Sequence, residues 1–314
     1  MPNATVPDAT VRFSVGILGT GWVGASVAMS VLHAGFAGEL LLSDLRAELA
    51  EGEAMDLAHG AAFYPAATVR AAPFDELLAT NALVIAAGRG GKPGESRLDL
   101  LRDNARVMRD VGARLRDYRG LVVVVTNPVD VLTYVVAESS GLPVERVIGT
   151  GTMLDSARLR QAIGEALHVA PHSVHAHVVG EHGDSEVVLW SSAWVGGRPL
   201  RQWPGWTRER EAPMAEQVRR AAYEIIRRKG ATNHAIGLVT AALLRSSARG
   251  ERRVQTVSRV QRGALGLHDV ALSLPTIVDT GGAVEVVAPE LAPEERAALE
   301  RSADVLRDAI RSIA

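Results

Sequence analysis

The chain contains no cysteine, which excludes a disulfide framework, a thiolate nucleophile and any metal centre built on sulfur. That absence fits a reducing compartment, and the cytoplasm is the expected location. No apolar run approaches the roughly 20 residues that a membrane-spanning helix requires. Neither sign of charge dominates: 34 Lys and Arg against 36 Asp and Glu leave a formal net charge of −2. No global attraction therefore draws the chain to nucleic acid or to an anionic membrane, and neither is an expected partner. Charged residues make up only 22% and hydrophobic residues 47%, so 314 residues of this composition bury a large core and suit two closely packed halves. Residues 1–10 hold two prolines and no basic segment ahead of an apolar one; they read as a short disordered tail, not a signal peptide.

Over 11–149, short β-rich apolar runs at 13–18, 40–43, 83–87 and 121–126 alternate with longer amphipathic stretches. Strands that are apolar at nearly every position are buried on both faces, and their alternation with helices makes them parallel. Leu98, Leu101, Val107, Val111 and Leu115 recur at helical spacing within 96–118, and a second helix is expected over 129–140 after Pro128. Beyond Gly149 the pattern changes to a helix over 155–167, strands over 174–179 and 186–195, and a long helical region over 208–249. Strands at 254–260 and 270–278 and an amphipathic helix over 293–313 follow. The expected fold is α/β: a Rossmann-type doubly wound parallel sheet over 11–149, then a mixed α+β substrate and catalytic domain over 150–314.

Gly19-Thr20-Gly21-Trp22-Val23-Gly24 directly follows the first expected strand and opens a helix. Three glycines in that setting permit a tight turn, close approach of backbone N–H groups to a pyrophosphate, and close helix packing. Asp44 ends the second strand, 20 residues after Gly24, where a carboxylate accepts hydrogen bonds from ribose hydroxyls and repels a 2′-phosphate. The cofactor expected is NAD rather than NADP. A phosphate-binding P-loop is excluded because no Gly-Lys-Ser/Thr ends the loop.

Two further segments carry chemistry. His182 lies in Gly180-Glu181-His182-Gly183-Asp184-Ser185 between expected strands, and Asp155 and Arg158 stand three positions apart on one face of an expected helix. Alone, such a histidine is usually an ordinary loop residue and such a pair a surface salt bridge. His172, His175, His177 and His182 lack identified companion carboxylates, and no metal site is read from them.

Taken together, these segments and Met55-Asp56-Leu57-Ala58-His59-Gly60, Gly94-Glu95-Ser96-Arg97-Leu98, Thr126-Asn127-Pro128-Val129-Asp130 and Lys229-Gly230-Ala231-Thr232 resemble the L-lactate/L-malate dehydrogenase family, in the family's order from about 13 to 312. The resemblance is nearest to the bacterial L-lactate dehydrogenases. It implies NAD-dependent hydride transfer between a nicotinamide and a small L-2-hydroxy or 2-oxo acid. His182 is then the proton donor and acceptor, Asp155 the group that orients and charges it, and Arg158 the bidentate clamp on the substrate carboxylate. Arg97, on a closing loop, polarises the carbonyl; Asn127 orients substrate and nicotinamide; Thr232 and Ile236 line their pocket. Gly19, Gly21, Trp22, Val23, Gly24 and Asp44 hold the dinucleotide. Arg160 and His175 match positions that bind fructose 1,6-bisphosphate in allosteric members, with surface charges the equal alternative. A homotetramer or homodimer is implied.

One position departs from the pattern. Where the resemblance places glutamine for lactate or arginine for malate, this chain has Gly91 after Gly90, which leaves no side chain at the substrate selector. Lactate is the first reading, a bulkier or more polar 2-oxo acid the second, and malate the third. A non-enzymatic NAD-binding module is the remaining class, disfavoured because binding alone does not require His182, Asp155, Arg158 and Arg97 together. Asn233 and His234, where bulky residues are usual, point to an altered pocket wall.

Overall fold

The computed structural model describes residues 13–90 and 97–313, without the side chain of Arg97. The expected tail over 1–10, Gly91 and the Arg97 side chain therefore lie outside the described residues. The first half runs β1 (Ser14–Leu18), α1 (Trp22–Ala34), β2 (Glu39–Ser43), α2 (Ala47–His59), β3 (Thr68–Ala71), α3 (Phe74–Leu77), β4 (Ala82–Ile85), α4 (Arg97–Arg114), β5 (Leu121–Val124), α5 (Val129–Ser140) and β6 (Val147–Gly149). The second half runs α6 (Met153–Leu167), β7 (Val174–His175), β8 (Val178–Val179), β9 (Val187–Val188), β10 (Trp194–Val195), β11 (Arg198–Pro199), α7 (Glu211–Lys229) and α8 (His234–Ala248). It closes with β12 (Arg253–Arg262), β13 (His268–Asp279), β14 (Gly282–Val286) and α9 (Pro293–Arg311). Among the described residues no helix is long and apolar enough to cross a membrane.

The main sheet has the order β14-β13-β12-β6-β5-β4-β1-β2-β3. Its parallel part, 3-2-1-4-5-6, is doubly wound, and the order reverses between β1 and β4. Alternate residues of the central strands feed opposite faces: Leu83, Ile85, Val122 and Val124 join one core, while Val15, Ile17, Val84 and Val123 join the other. This is why those strands read as continuous apolar runs. A third core of Leu159, Ile163, Val174, Trp206 and Val218 belongs to the second half alone.

Several elements differ from the sequence reading. The expected strand over 174–179 is two: β7 pairs with β10 in a small three-stranded sheet, and β8 pairs with β9 in another. The stretch over 186–195 divides in the same way. After this division Gly180 exchanges two backbone hydrogen bonds, of 2.9 and 3.0 Å, with Ser273 of β13, which ties the histidine-bearing segment to the main sheet. The helical region over 208–249 breaks at 230–233, where Gly230 ends α7 in a left-handed conformation with φ +89. Helix α2 shows little apolar signal because the face it buries is made of Ala50, Ala54 and Leu57. The second half also extends the first half's sheet: Ser258 of β12 pairs antiparallel with Gly149 of β6.

Candidate active site

The glycine loop crosses from β1 to α1 at the switch point. A Cβ on Gly19 (φ +93) would meet the backbone nitrogen of Ala87 at 2.6 Å, and one on Gly24 would meet the carbonyl oxygen of Gly19 at 1.9 Å. Both are held to glycine by backbone on either side. Gly21 differs, for among the described residues nothing lies within 4 Å of the place its Cβ would take. Helix α1 starts immediately after it with no side-chain cap, so its first N–H groups open onto free space. An uncapped helix N-terminus facing open volume is a cradle for a phosphate group. Trp22 exposes its side chain, so its contribution at this position is its backbone.

Asp44 ends β2 beside this loop. Its Oδ2 accepts from the Thr20 backbone N–H at 2.8 Å and hydroxyl at 3.3 Å, and its Oδ1 accepts from the Arg46 N–H at 3.0 Å. Burial pushes the carboxyl's pKa up, but the hydrogen bonds from Arg46 and Thr20 outweigh it and the net shift is downward. Oδ2 is filled by the two Thr20 donors, and Oδ1 keeps a lone pair for a ribose hydroxyl. Gly19, Gly21 and Asp44, with Arg89, Asp103 and Asn104, line a cleft of about 1190 Å³. It opens at the C-terminal ends of β1, β2 and β4, where doubly wound sheets bind nucleotides. Arg89 is engaged in that cleft by Asp103, at 2.6 Å.

The histidine expected to handle the proton lies in the second half. Asp155, buried in the first turn of α6, divides its two oxygens: Oδ2 lies 2.5 Å from His182 Nδ1, and Oδ1 accepts from Arg158 Nη1 at 2.8 Å. Burial alone would lower the imidazole's pKa. The charge and hydrogen bond of Asp155, with the charge of Asp130, reverse this and raise it to about 9. Asp155 moves the other way: burial raises its pKa, but His182 and Arg158 outweigh burial and leave it ionised. About a quarter of the His182 side chain, 23%, remains exposed and available to a reactant.

The segment after β5 joins the two regions. Thr126 Oγ1 donates to the Ala87 carbonyl at 2.7 Å, and the Asn127 carbonyl accepts from Asn104 at 3.3 Å. Asp130 Oδ2 accepts from the backbone N–H of His182 at 2.7 Å. Asn127 is exposed, three residues before Asp130 on the same segment. On the other side, Thr232 lies in the break between α7 and α8, and Ile236 packs on the core that α1 shares with α8. A Cβ on Gly237 would meet the Ser26 carbonyl oxygen at 2.5 Å, so α1 and α8 are in backbone contact there. Asn233 is itself engaged: its amide donates to Ser26 Oγ at 2.9 Å and its oxygen accepts from Lys229 at 2.7 Å.

Arg160 and His175 both lie near His177. Arg160 donates to the Ala176 carbonyl at 3.0 Å and lies 3.4 Å from His177 Nδ1, while His175 is exposed on β7. Burial holds the His177 imidazole near pKa 4, with the neighbouring charges of Arg160 and His175 adding to the effect.

Three residues were not singled out from sequence. Asn104, buried on α4, fastens Arg89 and Asn127 through its amide. Asp130 was visible only as the end of the Thr126-to-Asp130 motif. Glu186 is 6% exposed, and its Oε1 has no hydrogen-bond partner. Burial and the nearby charge of Asp155 raise its pKa well above the usual carboxylate range, against Arg219, His182 and Arg158. A position four residues beyond His182 was the available signal.

The lactate/malate dehydrogenase NAD binding domain matches residues 13–149, and the lactate/malate dehydrogenase alpha/beta C-terminal domain matches residues 152–314. The chain belongs to the lactate/malate dehydrogenase family. An L-lactate dehydrogenase of Salinibacter ruber is 44% identical to this dehydrogenase over 304 residues, covering 95% of this chain and 96% of that one. An L-lactate dehydrogenase of Thermus aquaticus is 43% identical over 306 residues, covering 95% and 99%. The ligand-bound crystal structure of the minor L-lactate dehydrogenase from Enterococcus mundtii superposes with a TM-score of 0.94 at 38% identity, over 97% of this chain and 99% of that one.

Proposed function

We propose that this protein is an NAD-dependent L-lactate dehydrogenase that interconverts pyruvate and L-lactate, with His182, Asp155, Arg158 and Arg97 as its working residues. The observation that carries the assignment is the sharing of Asp155 between the imidazole Nδ1 and the Arg158 guanidinium. With Nδ1–H committed to Asp155, Nε2 is the atom left to give a proton to a carbonyl oxygen or take one from a hydroxyl. Arg158 spends one donor on Asp155 and retains others for a carboxylate, which it receives through a planar fork. The open Gly21, the uncapped start of α1 and the ionised Asp44 suit a pyrophosphate and a ribose diol, so the residues present fit NAD. NADH, when bound, supplies the hydride for the substrate's second carbon while His182 supplies the proton for its oxygen. Arg97 polarises that oxygen, Asn127 orients the reactants, and Thr232 and Ile236 close the opposite wall.

This reading divides the chain near 150 into dinucleotide-binding and catalytic domains, in keeping with family matches that end at 149 and resume at 152. It places the enzyme in the cytoplasm as a homotetramer or homodimer. Exposed Trp22 and Met29 on α1 and Leu238 on α8 supply apolar surface for that assembly. Arg160 and His175 are assigned to fructose 1,6-bisphosphate. Activation by that compound, lost in Arg160→Ala, is the expected result; equal activity with and without it in the wild type would remove the assignment.

Gly91 favours one further reading, in which the missing selector side chain admits 2-oxo acids larger than pyruvate. A single screen tests both. NADH oxidation is followed with pyruvate, oxaloacetate, 2-oxobutyrate, 2-oxoisocaproate and phenylpyruvate. Highest kcat/KM with pyruvate supports lactate dehydrogenase, preference for a larger acid supports the second reading, and inactivity with all five overturns both.

A further inference from the structure

Asp130 is buried on the first turn of α5, yet its carboxylate does not cap that helix. It reaches into the second half of the chain, and Oδ2 accepts the His182 backbone N–H at 2.7 Å. Among the described residues Oδ1 has no hydrogen-bond partner. An apolar contact would serve packing at this depth without the desolvation cost of a charge, so a buried carboxylate aimed at the histidine calls for a local reason.

We propose that Asp130 is a positioning residue for proton transfer, fixing the backbone of His182 and placing a second negative charge beside an imidazole that Asp155 already grips from the ring side. Two carboxylates then act on one histidine from different elements. Asp155 sets the tautomer through Nδ1. Asp130 fixes where the ring is carried, and it does so from the segment that also carries Asn127 next to the cofactor cleft. Through it the proton carrier is placed relative to the dinucleotide half, not only relative to its own.

The groups facing the histidine are Asp155 and Arg158 of α6, Asp130 of α5 and Glu186 of the following segment. Asp130 in turn faces Ser258 of β12 and Glu181. Burial raises the Asp130 carboxyl to about pKa 6, against the Ser258 hydroxyl and the His182 N–H. Above that pH it is charged and favours the imidazolium; removing the charge lowers the pKa of His182.

The inference rests on His182 being the proton carrier, so wild-type pyruvate reduction and its loss in His182→Gln are measured first. An inactive wild type overturns both readings. With an active wild type, Asp130→Asn keeps an acceptor for the N–H and removes the charge. Its kcat should stay within about threefold while the alkaline limb of pyruvate reduction moves down by roughly 0.5–1 pH unit, less than a contact charge at the ring would give. Asp130→Ala loses the acceptor as well, and kcat should fall about tenfold or more with the KM for NADH unchanged. An unmoved limb in Asp130→Asn, or full activity in Asp130→Ala, overturns the proposal. Should the Asn variant fail to fold, Asp130→Glu replaces it: the charge is kept but its contact with the His182 N–H is displaced, so kcat should fall with the KM for NADH unchanged, and wild-type kcat overturns the proposal.

Discussion

Replacing Asp155 with asparagine isolates what its charge and its two acceptor oxygens contribute. In the wild type Oδ2 faces His182 Nδ1 at 2.5 Å and Oδ1 accepts from Arg158 at 2.8 Å. An amide of the same shape offers one acceptor and one donor group. If its oxygen turns to Arg158, its NH2 faces Nδ1, which must then be unprotonated; the proton moves to Nε2 and the ring cannot become an imidazolium in place. If its oxygen turns to His182, the NH2 meets the guanidinium and the carboxylate clamp is displaced. Either orientation disables one of the two functions.

Loss of the charge also lowers the histidine pKa. An opposite charge at contact is worth about 1–3 pKa units, so the value near 9 should fall to about 6–8. The sign follows from the proposed role: if His182 is the proton donor, pyruvate reduction needs it protonated, so the plateau below about pH 9 should retreat to lower pH in the variant. Lactate oxidation requires the neutral ring, so its rise should begin at lower pH too. Positioned proton transfer contributes on the order of 10²–10⁴ in rate, which is about 2.7–5.5 kcal/mol. Asp155→Asn should lose kcat/KM for pyruvate in that range while NADH binding, read by quenching of protein fluorescence, stays near the wild-type value. A folded variant within about threefold of wild type, with its alkaline limb still near pH 9, would refute the reasoning.

Gly21→Ala adds a methyl where, among the described residues, nothing lies within 4 Å, so its Tm should match the wild type while the KM for NADH rises about tenfold or more. Gly24→Ala drives a Cβ to 1.9 Å from a backbone oxygen and should lower Tm by several degrees, an overpacking cost of about 1–3 kcal/mol; thermal melts of the two variants side by side check both. Asp44→Ser should raise the NADPH-to-NADH ratio of kcat/KM by about tenfold or more through loss of the charge that repels a 2′-phosphate, and an unchanged ratio would remove Asp44 from the ribose site. Gly91→Arg should shift selectivity from pyruvate towards oxaloacetate by on the order of 10- to 100-fold, and a shift below about twofold in the ratio of kcat/KM values would show that position 91 does not face the substrate.

Much of the dinucleotide half was legible in sequence because its signals are local. Strands buried on both faces are apolar at consecutive positions, and the glycine loop and Asp44 are read off one strand–turn–helix–strand unit. His182, Asp155 and Arg158 were legible as motifs, since each lies in a distinctive short segment. Elements whose burial depends on distant partners were less visible. The short strand pairs β7–β10 and β8–β9 merged into longer runs, because backbone pairing across sheets leaves no mark on side-chain periodicity. Helix α2 buries alanines, which carry little apolar signal.

The sequence by itself determined the α/β class, the glycine turn after β1, the acid at the end of β2 and the short segments that carry His182, Asp155 and Arg158. Tertiary structure alone decided how those groups share one another. Asp155 divides its oxygens between a histidine 27 residues away and an arginine on its own helix face, and Asp130 reaches His182 across 52 residues of chain. Those pairings arise because α5 packs against β13, to which Gly180 binds the histidine-bearing segment, and this brings two buried carboxylates to one imidazole. The pKa of that imidazole is set by the charges around it in space, and no spacing along the chain encodes it.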